Sequence, residues 1–164
     1  MRFLKVFSIV LLALSVSACS SKFKTYKGPE VTQVIVFKDA RRMLLMHNKQ
    51  VLKDYRIGLG FRPTDDKKIR GDGRTPEGNY RIDRRNPNSN FYLSIGISYP
   101  NANDIAEAKA LGQSPGGDIF IHGRPCKDRK GGRDWTAGCI AVTNREMRDI
   151  YSMVGNGTPI QINP

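Results

Sequence analysis

Between Phe91 and Ser98 the chain alternates without a break. Phe91, Leu93, Ile95 and Ile97 are large and apolar, with Tyr92, Ser94, Gly96 and Ser98 between them. Successive side chains of an extended strand point to opposite faces, so a period of two marks a strand with one face toward a core. Shorter β-branched or apolar runs at Val34–Phe37, Met43–Met46, Val51–Ile57, Asn79–Asp83, Asp118–Ile121 and Thr158–Ile162 read as further strands. Lys38-Asp39-Ala40 and Asn48-Lys49 supply turns, and Pro100 ends the alternating run. Arg62–Gly78 is rich in Pro, Gly, Asp and Lys and reads as a long surface loop, with Gly71-Asp72-Gly73 as a turn inside it.

Two segments have helical spacing. Asn103–Leu111 is Ala-rich and stops at Gly112. Thr143-Asn144-Arg145-Glu146 is a capping-box sequence, and Met147, Ile150, Tyr151 and Val154 follow on one face, with Gly155 as the expected C-cap. No repeat, heptad or second domain is visible. The expected fold is mainly β, a sandwich or barrel with two short helices.

The first thirty residues are of another kind. Arg2 and Lys5 precede the apolar run Val6–Leu14, and Ser15, Ser17 and Ala18 follow it. That is the pattern of a secretory signal, too short for a membrane span, which needs about 20 residues. Val16-Ser17-Ala18-Cys19 resembles the lipobox of bacterial lipoproteins. The resemblance implies cleavage after residue 18, a lipid on Cys19 and, with Ser20 rather than Asp next, passage to the outer membrane of a Gram-negative cell. Residues 19–30 then read as a polar tether reaching about 35 Å if extended, and 31–164 as the folded domain. Export bears on the charge. The chain carries a net +12, and residues 31–164 hold 22 basic and 14 acidic side chains. A basic surface calls for a polyanion, and an exported protein meets anionic wall or lipid rather than nucleic acid.

Chemistry rests on few residues. Cys19 belongs to the lipid signal, leaving Cys126 and Cys139 with His47 and His122. His122 follows the hydrophobic run Ile119–Ile121 and precedes Gly123, a place where an imidazole sits at a strand end. Cys139 follows Thr136-Ala137-Gly138, and a glycine there lets backbone approach a substrate. A thiol attacks an amide as its thiolate, and a neighbouring His generates it by taking the proton. Backbone N–H groups at the Gly-Cys turn are the natural donors to an oxyanion. Cys126 and Cys139 could instead form a disulfide in an oxidising compartment. No zinc-ligand spacing is present, and no metal or cofactor is implied. His47 reads as a surface or packing residue, and Arg81, Arg84 and Arg85 as a solvated face. Tyr99 reads as cleft or core, and Trp135 as substrate platform or packing.

His122-Gly123, a spacer, and Thr136-Ala137-Gly138-Cys139 resemble the L,D-transpeptidase catalytic domain of the YkuD type. So does Thr75-Pro76-Glu77-Gly78-Asn79-Tyr80 upstream. The resemblance spans residues 31–164 and implies a mostly β sandwich with the cysteine at a cleft. It assigns Cys139 as nucleophile and His122 as base, with Gly138, Thr136 and Gly123 shaping the oxyanion site. The substrate it implies is the peptidoglycan stem peptide. Two positions depart from the pattern: Ala137 stands where many members have His, and Ala141 where many have Arg. The second loses a cation suited to a substrate carboxylate, for which Arg124, Arg133 or Arg145 are candidates. Transfer to an amine, hydrolysis as an L,D-carboxypeptidase or wall-protein-releasing hydrolase, and wall binding without turnover all remain open from sequence.

Overall fold

The computed structural model describes residues 22–125 and 132–164. Eight strands run β1 (Gln33–Phe37), β2 (Arg42–His47), β3 (Gln50–Arg56), β4 (Gly78–Asn86), β5 (Ser94–Ile97), β6 (Phe120–His122), β7 (Ile140–Ala141) and β8 (Pro159–Asn163). Helix α1 (Ala102–Ala110) lies between β5 and β6, and α2 (Asn144–Met153) between β7 and β8. The strands form one sheet in the order β3-β2-β1-β8-β4-β5-β6-β7. The β1–β8 and β6–β7 pairs are parallel and the other pairs antiparallel.

The two edges of this sheet meet. The chain leaving β3 runs along the free side of β7, where Gly58 and Ala141 exchange both backbone hydrogen bonds at 2.8 Å. Gly60 and Thr136 form a parallel bridge next to it: the Phe61 amide donates to the Thr136 carbonyl at 2.9 Å and the Thr136 amide to the Leu59 carbonyl at 3.2 Å. A curled sheet closed on itself leaves few unpaired edge groups, and the expected mainly β architecture is what the chain adopts. Glycine is required at 58, because a Cβ there would lie 2.0 Å from the Arg133 carbonyl oxygen.

The core lies inside the curl. Val34, Val36, Met43, Leu45, Ile82, Ile95, Ile97, Ile121, Ile140 and Ile160 form one buried cluster. Helix α2 adds Met147, Ile150 and Tyr151 to it, each worth about 1.5–3 kcal/mol of burial. Thr143 caps that helix through the expected capping box. The terminus differs from expectation: Val154, in extended conformation, is the C-cap, and Arg85 closes the end instead. Its guanidinium donates to the carbonyls of Tyr151 and Val154 and covers the Tyr151 ring at 3.9 Å, a favourable site for a cation. Arg85 is therefore no solvated residue.

Other expectations need correction. The alternating run Phe91–Ser98 is a strand only over Ser94–Ile97, and all four of its residues are buried. Both faces are covered there, so alternation does not mark an exposed side. Asp118 lies outside its predicted strand, in left-handed conformation with φ 56°. Segment Arg62–Glu77 has no regular structure but is not superficial: Lys67, Gly73, Thr75 and Pro76 are buried. Its backbone is satisfied by side chains rather than by a ladder. Asp72 accepts from the amides of Lys68, Ile69 and Arg74 and pairs with the buried Lys67 at 2.8 Å. Lys38, 1 % exposed, donates to the carbonyls of Asp65 and Thr75 and to Glu77.

The presumed tether is also docked from Lys22 onward. Lys22 donates to the Pro87 carbonyl and lies over the Tyr92 ring. Phe23 packs against Tyr151 at 6.2 Å, and Lys24 pairs with Asp149 at 2.7 Å. His47 donates from Nδ1 to the Glu30 carbonyl. Cys19 and Cys126 lie outside the described residues. Among the described residues no helix is long and apolar enough to cross a membrane.

Candidate active site

Register places the two reactive side chains. Strand β6 pairs with β7 so that Ile121 faces Ile140 and His122 faces Ala141. Side chains two apart share a face. Ile121 and Ile140 thus enter the core, while Phe120, His122 and Cys139 turn to the opposite face. Ser94, paired with His122 on β5, joins them. Cys139, His122, Phe120 and Ser94 line one pocket of about 280 Å³, closed by Asn86, Ser89, Asn90, Phe91 and Asp118.

Cys139 is a free thiol. Its Sγ accepts from the Phe120 amide at 3.4 Å and donates to the Asp118 carbonyl at 3.5 Å. The turn beneath it is fixed by Thr136, whose Oγ1 accepts from the Gly138 amide and donates to the Cys139 carbonyl. Gly138 has φ 132°, and a Cβ there would lie 2.6 Å from the Arg74 carbonyl oxygen. That contact explains the upstream Thr75-Pro76 element. Thr75 accepts the Gly60 amide on its own hydroxyl, and the segment packs its backbone against the thiol turn.

His122 is 3 % exposed. Its Nδ1 lies 2.6 Å from the Gly123 carbonyl oxygen. A carbonyl only accepts, so Nδ1 carries the proton and Nε2 of the neutral ring is the basic nitrogen. Phe91 stacks on the imidazole at 4.5 Å, and Trp135 meets its edge at 5.6 Å. Arg124 lies over Trp135 at 5.4 Å. Gly123 cannot carry a side chain, since a Cβ would sit 2.4 Å from Asn144 Oδ1, the atom that accepts the Arg124 amide.

Burial disfavours charge on both reactive groups. The Cys139 thiol is pushed above its ordinary value by burial and by Asp118, against the pull of the Phe120 amide and Lys67. The imidazole is pushed down by burial, with Arg124 adding to it and the Gly123 hydrogen bond opposing. Both directions favour thiol and neutral imidazole over a thiolate–imidazolium pair.

The remaining sequence candidates scatter. Tyr99 is core: its hydroxyl donates to the Pro115 carbonyl and its ring meets Tyr80 edge-on. Arg133 lines a different pocket, with Arg41, Arg42 and Arg56. Arg145 is exposed on α2 and lines neither pocket that reaches Cys139. Arg124 is committed to the Trp135 face, and Trp135 itself packs against His122. Thr136 and Gly138 shape the turn, with the Gly138 amide bonded to Thr136 Oγ1. Sequence reasoning missed Phe91, Asp118, Phe120 and Ser94. The parity of Phe120 with His122 was the signal for one of them, and an aromatic closing the polar run Pro87–Asn90 for another. Arg84 was read as solvated, yet it lies over the Phe120 ring at 4.6 Å and pairs with Asp83 and Asp118. Among the described residues no group of His, Cys, Asp and Glu gathers as metal ligands do.

Comparison with known proteins follows the same lines. YafK of Escherichia coli strain K12, whose L,D-transpeptidase name is provisional, is 29% identical over 151 residues, 85% of this chain and 54% of that protein. The structure of Pgp2 from Campylobacter jejuni, a helical cell shape determining protein, superposes with a TM-score of 0.65 at 27% identity, over 84% of this chain and 49% of that one. The L,D-transpeptidase of Xylanimonas cellulosilytica shares the fold, with a TM-score of 0.55 at 15% identity over 85% and 63% of the two chains. The chain spans about half the length of YafK and Pgp2. The family model of the L,D-transpeptidase catalytic domain, YkuD, matches residues 32–162, and the chain belongs to that family.

Proposed function

We propose that the protein is a cysteine-dependent acyltransferase acting on peptidoglycan stem peptides. The observation that carries this reading is the common pocket of Cys139 and His122, with Nδ1 anchored on Gly123 so that Nε2 is the base. Cys139 Sγ attacks the carbonyl carbon between the diamino acid and D-Ala of a tetrapeptide stem as His122 Nε2 takes the thiol proton. The Cys139 amide donates to the oxyanion. Collapse breaks the C–N bond, His122 returns the proton to the leaving amine, and D-Ala departs, leaving a thioester. An acceptor then attacks the thioester, gives its proton to His122, and the thiol is restored. A side-chain amine as acceptor makes a crosslink; water makes a carboxypeptidase.

Support comes from family membership and from the likeness to YafK and Pgp2. The name of Pgp2 extends the proposal to wall remodelling that sets cell shape. We place the protein at the periplasmic face of the outer membrane, held by lipid on Cys19, on the lipobox resemblance alone.

Carbapenem acylation followed by intact-protein mass measurement tests the nucleophile. A single adduct on wild type, absent from Cys139→Ala, is the expected result; equal labelling of both removes Cys139 from the role. Digested sacculi incubated with the protein identify the acceptor, through new dimers or shortened tripeptides. No change in any muropeptide would favour binding without turnover.

A further inference from the structure

Cys139 lies between two pockets. The second, about 410 Å³, is lined by Lys67, Arg70, Gly71, Gly116, Gly117 and Asp118, among others. Its charges are not equivalent. The Lys67 ammonium is buried and held by Asp72 and the Ile69 carbonyl. Asp118 is bound by Arg84 at 3.2 Å. Arg70 is exposed, and among the described residues its guanidinium has no carboxylate partner.

The base of Arg70 is nevertheless fixed. Its amide donates to the Ser114 carbonyl at 2.7 Å, and Gly116 packs on its Cα and Cβ at 3.3 Å from where a Cβ would stand. The side chain thus springs from a pinned point at the pocket wall. The wall itself is stripped of side chains: a Cβ at Gly71 or at Gly117 would meet nothing within 4 Å. Gly71 has φ 80°, which accounts for it, but Gly117 has no such backbone requirement. Its bareness leaves room for a ligand beside a guanidinium.

Building on the stem-peptide reading, we propose that Arg70 is the carboxylate-binding residue of this site, taking over the task left without a cation at Ala141. A guanidinium accepts a carboxylate on two parallel N–H groups. The ligand is a carboxylate of the stem next to the scissile amide. It comes either from the terminal D-Ala or from the side-chain centre of the diamino acid.

The test uses the whole chain with Cys139→Ala, so that peptides bind without reacting. Calorimetry compares the free-acid tetrapeptide, the same peptide amidated at D-Ala, and one amidated at the diamino acid, each with and without Arg70→Gln. The free acid should bind at least about tenfold more weakly once Arg70 is replaced, the loss of one charged hydrogen-bonding contact. One of the two amides should already be weakened and insensitive to Arg70→Gln, and which one it is names the source. Arg70→Lys should recover part of the loss, and melting temperature should not move. Equal loss for acid and both amides, or no loss at all, overturns the subsite while leaving the stem-peptide reading in place. Failure of every stem peptide to bind Cys139→Ala, with no turnover by wild type, overturns both.

Discussion

Thr136 Oγ1 donates to the Cys139 carbonyl oxygen at 2.7 Å and itself accepts from the Gly138 amide at 3.2 Å. One hydroxyl thus fixes both ends of the peptide pair that presents the thiol. Thr136→Val removes it from a buried position. The expected cost is about 1–3 kcal/mol, since a buried N–H loses its acceptor. Thermal melting should fall, and carbapenem acylation should slow more than tenfold. Thr136→Ser should restore both. A valine variant with wild-type acylation would remove Thr136 from any role in presenting the sulfur.

His122 should give the acylation rate an acid limb below that of a free imidazole. Burial holds its folded pKa under the ordinary 6.5, so Nε2 stays unprotonated as pH falls through that value. The rate should be flat above pH 6.5 and drop only below it. The stability linkage runs the same way. The unfolded chain takes up this proton first, so the contribution of the buried neutral ring is complete above pH 6.5 and is lost as pH falls to the folded pKa. His122→Gln should flatten this part of the stability profile and reduce acylation by about two to four orders of magnitude.

Alkylation of Cys139 by iodoacetamide should be slow at neutral pH and should rise only at alkaline pH. Burial and Asp118 hold the thiol above its ordinary 9.0. Asp118→Asn removes one of these causes and should shift the rate profile toward lower pH. A fast neutral reaction would show that a thiolate exists in the resting enzyme.

Asp72→Ala should be among the most damaging changes outside the pocket. It strands the Lys67 ammonium, 3 % exposed, and frees three backbone amides. Breaking a buried pair from one side costs about 3–5 kcal/mol. Burial alone would raise the Asp72 pKa, but Lys67 and the amides of Ile69, Lys68 and Arg74 outweigh it and hold it low. Its contribution is therefore complete above about pH 3.9 and lost as acid carries the pH through the folded pKa. Urea melts from pH 7 to about pH 2 on wild type and Asp72→Asn would show the difference.

Much of this architecture was legible from periodicity. The strands at Val34–Phe37 and Met43–Met46 and the helix after Thr143 announce themselves because one face is buried and a cap or turn bounds them. Ser94–Ile97 misled, because a strand covered on both sides loses the contrast that alternation measures. The loop Arg62–Glu77 misled for the opposite reason. Its Asp and Lys residues look solvated in a list of letters, yet Asp72 and Lys67 satisfy an internal backbone that no strand pairs. His122 and Cys139 were readable from their motifs. Arg70 was not, since its meaning depends on Gly116 and Gly117, brought beside it from the far side of α1.

The docked N-terminal arm would change the dimensionality of the search for substrate in a lipid-anchored molecule. Only Ser20 and Ser21 separate Lys22 from Cys19, a span of about 10 Å at most, and Lys22 sits on Pro87, beside the Asn86–Phe91 rim of the Cys139 pocket. With lipid on Cys19, as proposed, the molecule would not swing on a leash. It would glide with that rim close to the bilayer, and its encounters would be counted per area of membrane rather than per volume of periplasm. Wall strands lying within a few nanometres of the lipid would be sampled repeatedly by the same copy, and those deeper in the sacculus hardly at all.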